Sequence, residues 1–123
     1  METQKKILIV DDEPSIVFAL ESLLSANNYK IEKSYNGKDG LKMAKNFTPD
    51  LILLDVMMPF IDGFEFSSLI RKDKKLAHSK IILLTAKGNI TDKNAGYNKG
   101  CDDYIVKPFS SEVLLSKIKY FLG

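Results

Sequence analysis

One cysteine stands in the whole chain, Cys101, so an internal disulfide is excluded and a reducing, cytoplasmic setting is expected. No apolar run approaches the roughly 20 residues that a membrane helix requires. METQKK at the start leads straight into a strand-like segment, with no signal-type apolar stretch. Charge is almost balanced: the formal net value of +2 is too small to argue for direct nucleic-acid binding. Neither GxGxxG nor GxxxxGKS/T occurs, which removes the usual nucleotide cradles. Internal repeats, low-complexity tracts and linkers are missing too. What is present is 123 residues with 45% hydrophobic content. That length suits one domain over residues 1–123. A chain of this mass buries roughly two thirds of its unfolded surface, enough to fold without metal or disulfide staples.

Apolar runs of strand length alternate with helix-period stretches. KILIVDD is a short β-rich run, followed by Pro14 in the favoured first turn of a helix whose Val17, Leu20, Leu23 and Leu24 recur at helical spacing. Residues 29–35 (YKIEKSY) alternate like a strand polar enough for a sheet edge. Asn36-Gly37 reads as a turn before a short helix marked by Leu41 and Ala44. LILLD is a third strand, 64–72 a helix with Phe64, Leu69 and Ile70 as its apolar contacts, and KIILLTA a fourth strand. Residues 89–99 form a weak, polar helix interrupted by Gly96. DYIVKP is a fifth strand. Ser110 then caps a last helix with Val113, Leu114, Ile118 and Phe121 on its inner face. Strict alternation of this kind implies a doubly wound α/β fold, a five-stranded parallel sheet with helices on both faces.

In such sheets, ligands bind at the carboxyl ends of the strands. The first strand ends in Asp11-Asp12, the third in Asp55, the fourth in Thr85 and the fifth in Lys107-Pro108. Two like charges about 4 Å apart repel by roughly 4 kcal/mol at an effective dielectric of 20. Three acids in one crevice therefore call for protonation or a counter-ion. A hard divalent cation such as Mg²⁺ takes carboxylates, waters and a phosphate oxygen. Lys107 supplies a mobile point charge and Thr85 a hydroxyl donor. These parts suit phosphoryl transfer, with Asp55 as the carboxylate nucleophile because it stands alone on the central strand. Taken singly, each has a plainer reading. Asp11-Asp12 would serve equally well as helix caps, Thr85 as a β-branched strand end, and Tyr104 as a packing residue. His78 reads as a surface residue, Cys101 as a small packing residue, Met57 and Met58 as loop packing, and RKDKK as a solvated helix end.

The stretches ILIVDDEP, LILLDVMMPFIDG, IILLTA and DYIVKPF, in this order and spacing, resemble the receiver domain of two-component response regulators. The resemblance runs over residues 6–122. It implies the flavodoxin-like strand order 2-1-3-4-5, which the sequence pattern alone does not give. It implies that Asp55 accepts a phosphoryl group from the phosphohistidine of a sensor histidine kinase or phosphotransfer protein. Asp12 matches the main carboxylate ligand of Mg²⁺, with Mn²⁺ as an alternative. Asp11 matches its neighbour, which acts through a metal-bound water, and the Met57 backbone carbonyl matches the third protein ligand. Lys107 matches the lysine on the phosphoryl oxygens, Thr85 the hydroxyl that moves toward them, and Tyr104 the aromatic whose rotamer follows. The Lys107–Pro108 bond matches a family cis peptide. Phosphorylation would then switch the face made by the fourth helix, fifth strand and last helix (89–99, 104–106 and 110–122), where a downstream protein or a second copy docks. Ile61 stands where a Met is frequent, without bearing on the chemistry. Met57 and Lys87 flank the path of the hydrolytic water. Met57 carries no group to orient that water, so slow loss of the phosphoryl group is expected. No turnover of an external substrate is expected: aspartyl-phosphate phosphohydrolases need a second acid two residues after the nucleophile, and that position is Met57. The alternative is a constitutive receiver-like interaction module that phosphorylation does not regulate.

Overall fold

A computed structural model describes residues 4–86 and 100–123. The weak helix expected over 89–99, with Gly96, and Lys87 lie outside the described residues. Within them, five strands and four helices follow in the order β1 (Lys6–Val10), α1 (Pro14–Ala26), β2 (Lys30–Ser34), α2 (Gly37–Phe47), β3 (Leu51–Asp55), α3 (Gly63–Lys72), β4 (Lys80–Ala86), β5 (Asp103–Lys107) and α4 (Ser111–Leu122). All strand pairs are parallel and the sheet order is β2-β1-β3-β4-β5. The polar strand β2 is at an edge, as its alternation suggested. No helix among the described residues is long and apolar enough to cross a membrane.

Alternation along each strand sorts the core into two layers. Leu8, Val10, Ile52, Leu54, Ile81 and Leu83 face α2 and α3, where Ala44, Phe66 and Ile70 meet them. Ile7, Ile9, Leu51, Leu53, Ile82 and Leu84 face α1 and α4, where Val17, Leu20, Leu24, Leu114 and Ile118 meet them. Both faces of β3 are therefore covered, which is why LILL carries no polar residue. Each such side chain contributes about 1.5–3 kcal/mol on burial.

Several local expectations need correction. Asn36-Gly37 does not form a free turn: the Asn36 side chain accepts the Asp39 N–H at 2.8 Å and caps α2, with Gly37 as its first residue. In α3, Ile70 is buried as expected and Phe66 joins it in the core, while Leu69 is 38% exposed and Phe64 only partly buried. On α4, Val113 is 47% exposed and Phe121 partly buried, leaving Leu114 and Ile118 as the inner face. Ser110 does cap α4, accepting the Val113 N–H at 3.1 Å. RKDKK is not wholly solvated. The Arg71 guanidinium turns inward and donates to the carbonyls of Gly100, Ala77 and Ser79 and to the Asp102 carboxylate.

Candidate functional site

β1 and β3 are neighbours, so their carboxyl ends bring Asp11-Asp12 beside Asp55. One carboxylate oxygen from each of Asp11, Asp12 and Asp55 lies within 4.8 Å of the others. Asp11 is fully buried and Asp55 is 5% exposed, whereas Asp12 is open to solvent. Helix capping does not account for the pair. The cap position of α1 is Glu13, which makes no side-chain cap hydrogen bond. Asp11 instead accepts the Glu13 N–H at 2.9 Å. Asp12 makes no hydrogen bond or ion pair with the described residues.

β5 delivers Lys107 from the far end of the chain. Its Nζ donates to Asp11 Oδ2 at 3.1 Å and Asp55 Oδ1 at 3.4 Å, and lies 3.7 Å from Glu13 Oε1. The Lys107–Pro108 peptide is cis. Three carboxylates thus share one ammonium, with the Asp12 carboxylate beside them and unpaired among the described residues. Burial and the Asp11 charge push the Asp55 carboxyl up from 3.8 to about 6, against the pull of Lys107 and the Met57 N–H. Burial likewise raises Asp11, although the Glu13 N–H and Lys107 oppose it. For Lys107, burial acts downward, but the charges of Asp55 and Asp11 prevail and hold it above the usual lysine value. Excess negative charge with exclusively oxygen donors is the setting that a hard divalent cation relieves.

Thr85 stands next to last in β4, 4% exposed and in register with Val106, and its buried Oγ1 has no hydrogen-bond partner among the described residues. Tyr104 is partly buried in β5, paired in register with Leu83, and its N–H donates to Asp103 Oδ1. Behind Asp55 the chain turns through a tight loop. The Met57 N–H reaches Asp55 Oδ1 at 3.4 Å, but the Met57 side chain is 69% exposed, so of the two methionines only Met58 packs as expected. Ile61 N–H donates to Pro59 O around Phe60, whose φ of 69° is unusual for a non-glycine residue.

Two contributors were not foreseen. Glu13 adds a fourth acid to the cluster and a third against Lys107, and the third acid of DDE was its visible signal. Gly63 brings the start of α3 against the end of β3. A Cβ there would lie 2.7 Å from the Asp55 carbonyl oxygen, so no side chain fits without displacing backbone at the acid site. Nothing in the local sequence reports that approach. His78 is exposed, and Cys101 is buried in the α2–α3 layer, where burial raises its thiol to about 11 and leaves it a packing group.

Known proteins resemble this chain in sequence and fold. The family model for the response regulator receiver domain matches residues 7–119. The response regulator ArlR of Staphylococcus saprophyticus is 46% identical over 117 residues, covering 95% of this chain and 52% of that protein. The chain spans about half the length of the curated relatives it matches. Among solved structures, the chemotaxis protein CheY4 of Vibrio cholerae superposes with a TM-score of 0.92 at 31% identity, over 97% of this chain and 99% of that one. The receiver domain of the sensor histidine kinase PA1611 from Pseudomonas aeruginosa gives 0.89 at 27% identity, over 98% and 99%. That structure holds a magnesium ion coordinated in its active-site cleft.

Proposed function

The chain belongs to the response-regulator receiver domain family of two-component systems, and from that premise we propose that it is a phosphorylation switch whose phosphoacceptor is Asp55. One observation carries the reading: a buried Asp55 carboxylate within reach of two further aspartates and the Lys107 ammonium, at the carboxyl edge of the sheet. Asp11, Asp12, Asp55 and the Met57 carbonyl would hold Mg²⁺, or Mn²⁺ in its place. The oxygen-only donors and the surplus of negative charge fit that ion. When bound, the ion neutralises the acids and the charge on the transferring phosphoryl group.

The remaining chemistry belongs to this chain's own residues. An Asp55 oxygen attacks the phosphorus of a phosphohistidine in line. The phosphorus–nitrogen bond breaks, and its electron pair leaves with the imidazole of a sensor histidine kinase or phosphotransfer protein. Lys107 exchanges its contact with Asp55 for the new phosphoryl oxygens. Thr85 gains an acceptor for a buried hydroxyl that has none among the described residues, and Tyr104 follows into the space released. The consequence is a changed surface at β5 and α4, together with residues 89–99, for a downstream protein or a second copy. Moving a two-state equilibrium from 1:99 to 99:1 takes about 5.5 kcal/mol of differential stabilisation. A smaller bias leaves the unphosphorylated protein partly active.

Incubation with Mg²⁺ and acetyl phosphate, read by intact mass, tests this. One phosphoryl group is expected, absent from Asp55→Asn and after EDTA. The same sample gives the lifetime, expected to be well beyond seconds because Met57 orients no water. An unmodified mass, together with no Mg²⁺-dependent spectral response to beryllofluoride, would instead identify a constitutive interaction module.

A further inference from the structure

A groove of about 300 Å³ opens between α2 and α3, on the side of the molecule away from α1 and α4. Its floor is apolar: Leu41, Leu69, Ile70 and Leu76. Lys45 and Lys72 stand on its two walls, and Asp73 is the one acid among the lining residues. Asp73 is already engaged, its Oδ1 accepting the Lys75 N–H at 2.9 Å.

Lys33, Arg71, Lys107 and Lys117 each meet a carboxylate. Lys45 and Lys72 meet none among the described residues, and both are exposed. Lys5, Lys6, Lys30, Lys80 and Lys119 also lack a carboxylate partner among the described residues, so what marks the groove's cations is their place around an apolar slot. Lys38 and Lys42 share the Lys45 face of α2 at helical spacing, also exposed and without a carboxylate partner among the described residues. Lys74 and Lys75, in the turn between Asp73 and Leu76, extend the same charge.

An apolar slot rimmed by unpaired ammonium groups matches the complementary surface of an amphipathic segment. We propose that the α2–α3 groove docks an acidic amphipathic polypeptide, which places one or two large apolar side chains between Leu41 and Leu69 and sets Asp or Glu against Lys45 and Lys72. This surface is separate from the Asp55 site, and its test does not depend on phosphorylation.

A random-peptide display library selected on the intact chain, with counter-selection on a Lys45→Glu/Lys72→Glu/Leu69→Ala variant, provides the test. All three positions are exposed, so the variant should keep the wild-type melting profile and its phosphorylation by acetyl phosphate. Enriched peptides are expected to flank large apolar residues with acids. In NMR titration their shifts should centre on Leu41, Lys45, Leu69 and Leu76. The variant should bind about tenfold or more weakly, and binding should fall as salt rises. Selection of peptides without acid enrichment, or unchanged binding to the variant, would overturn the proposal. So would binding of a random duplex DNA or of anionic phosphatidylserine vesicles, lost in the same variant, in place of peptide.

Discussion

A hydroxyl buried without a partner costs about 1–3 kcal/mol, and Thr85 has none among the described residues. Thr85→Val keeps the shape and removes that burden. It is expected to raise stability to urea by about 1 kcal/mol while weakening the response of β5 amide shifts to beryllofluoride. Lower stability would mean the hydroxyl is already satisfied. Asp55 gives the second prediction at this scale. Its carboxyl titrates at about 6 in the native protein, against an ordinary 3.8, because of burial and the Asp11 charge. Between those values the native state binds more protons than the unfolded chain, so stability falls as pH rises. This contribution is fully present below 3.8 and gone above about 6. Without metal, Asp55→Asn should be the more stable protein at neutral pH by about 1–3 kcal/mol. The difference should vanish under acid conditions, as paired denaturation curves would show.

Arg71 ties three elements together. From the end of α3 its guanidinium reaches the turn before β4 and the turn before β5. Asp102 answers it and also accepts the Ile81 N–H at 2.7 Å, fixing the start of β4. Arg71→Ala strands one carboxylate and three carbonyls, and a loss of about 2–4 kcal/mol is expected in urea denaturation. Lysine at this position should recover little, since one ammonium cannot fork to all four acceptors. The sequence could not disclose this network. Gly100 and Asp102 lie 29 and 31 residues away, and RKDKK by composition is a surface run. LILLD, by contrast, was legible to the residue, because a strand covered on both faces has no alternation to misread. Helix faces were harder. In α3, Phe64, Phe66, Leu69 and Ile70 surround much of a ten-residue helix, and only the tertiary position of the sheet selects Phe66 over Leu69. The candidate site was more legible than the helices: its acids and lysine close strands whose order the motifs implied. Gly63 and Glu13 needed the loop geometry.

Across the molecule, metal and stability should be coupled. Four acids around a single ammonium, three of them in contact with it, leave the metal-free protein strained by its own charge, and a ligand that binds only the native state stabilises it by mass action. Mg²⁺ at neutral pH should therefore raise the melting midpoint of the wild type more than that of Asp55→Asn. An equal shift in both would place the ion elsewhere. The span of the Lys107–Asp11 contact has a further consequence, in the time order of synthesis. The two groups are 96 residues apart. During translation the acids of β1 and β3 emerge long before their ammonium. A nascent chain that has already paired β1 with β3 holds Asp11 and Asp55 together with no lysine between them. Only when β5 leaves the ribosome and joins β4 does the counter-charge arrive. The last strand added to the sheet is thus also the one that makes its acid cluster tolerable.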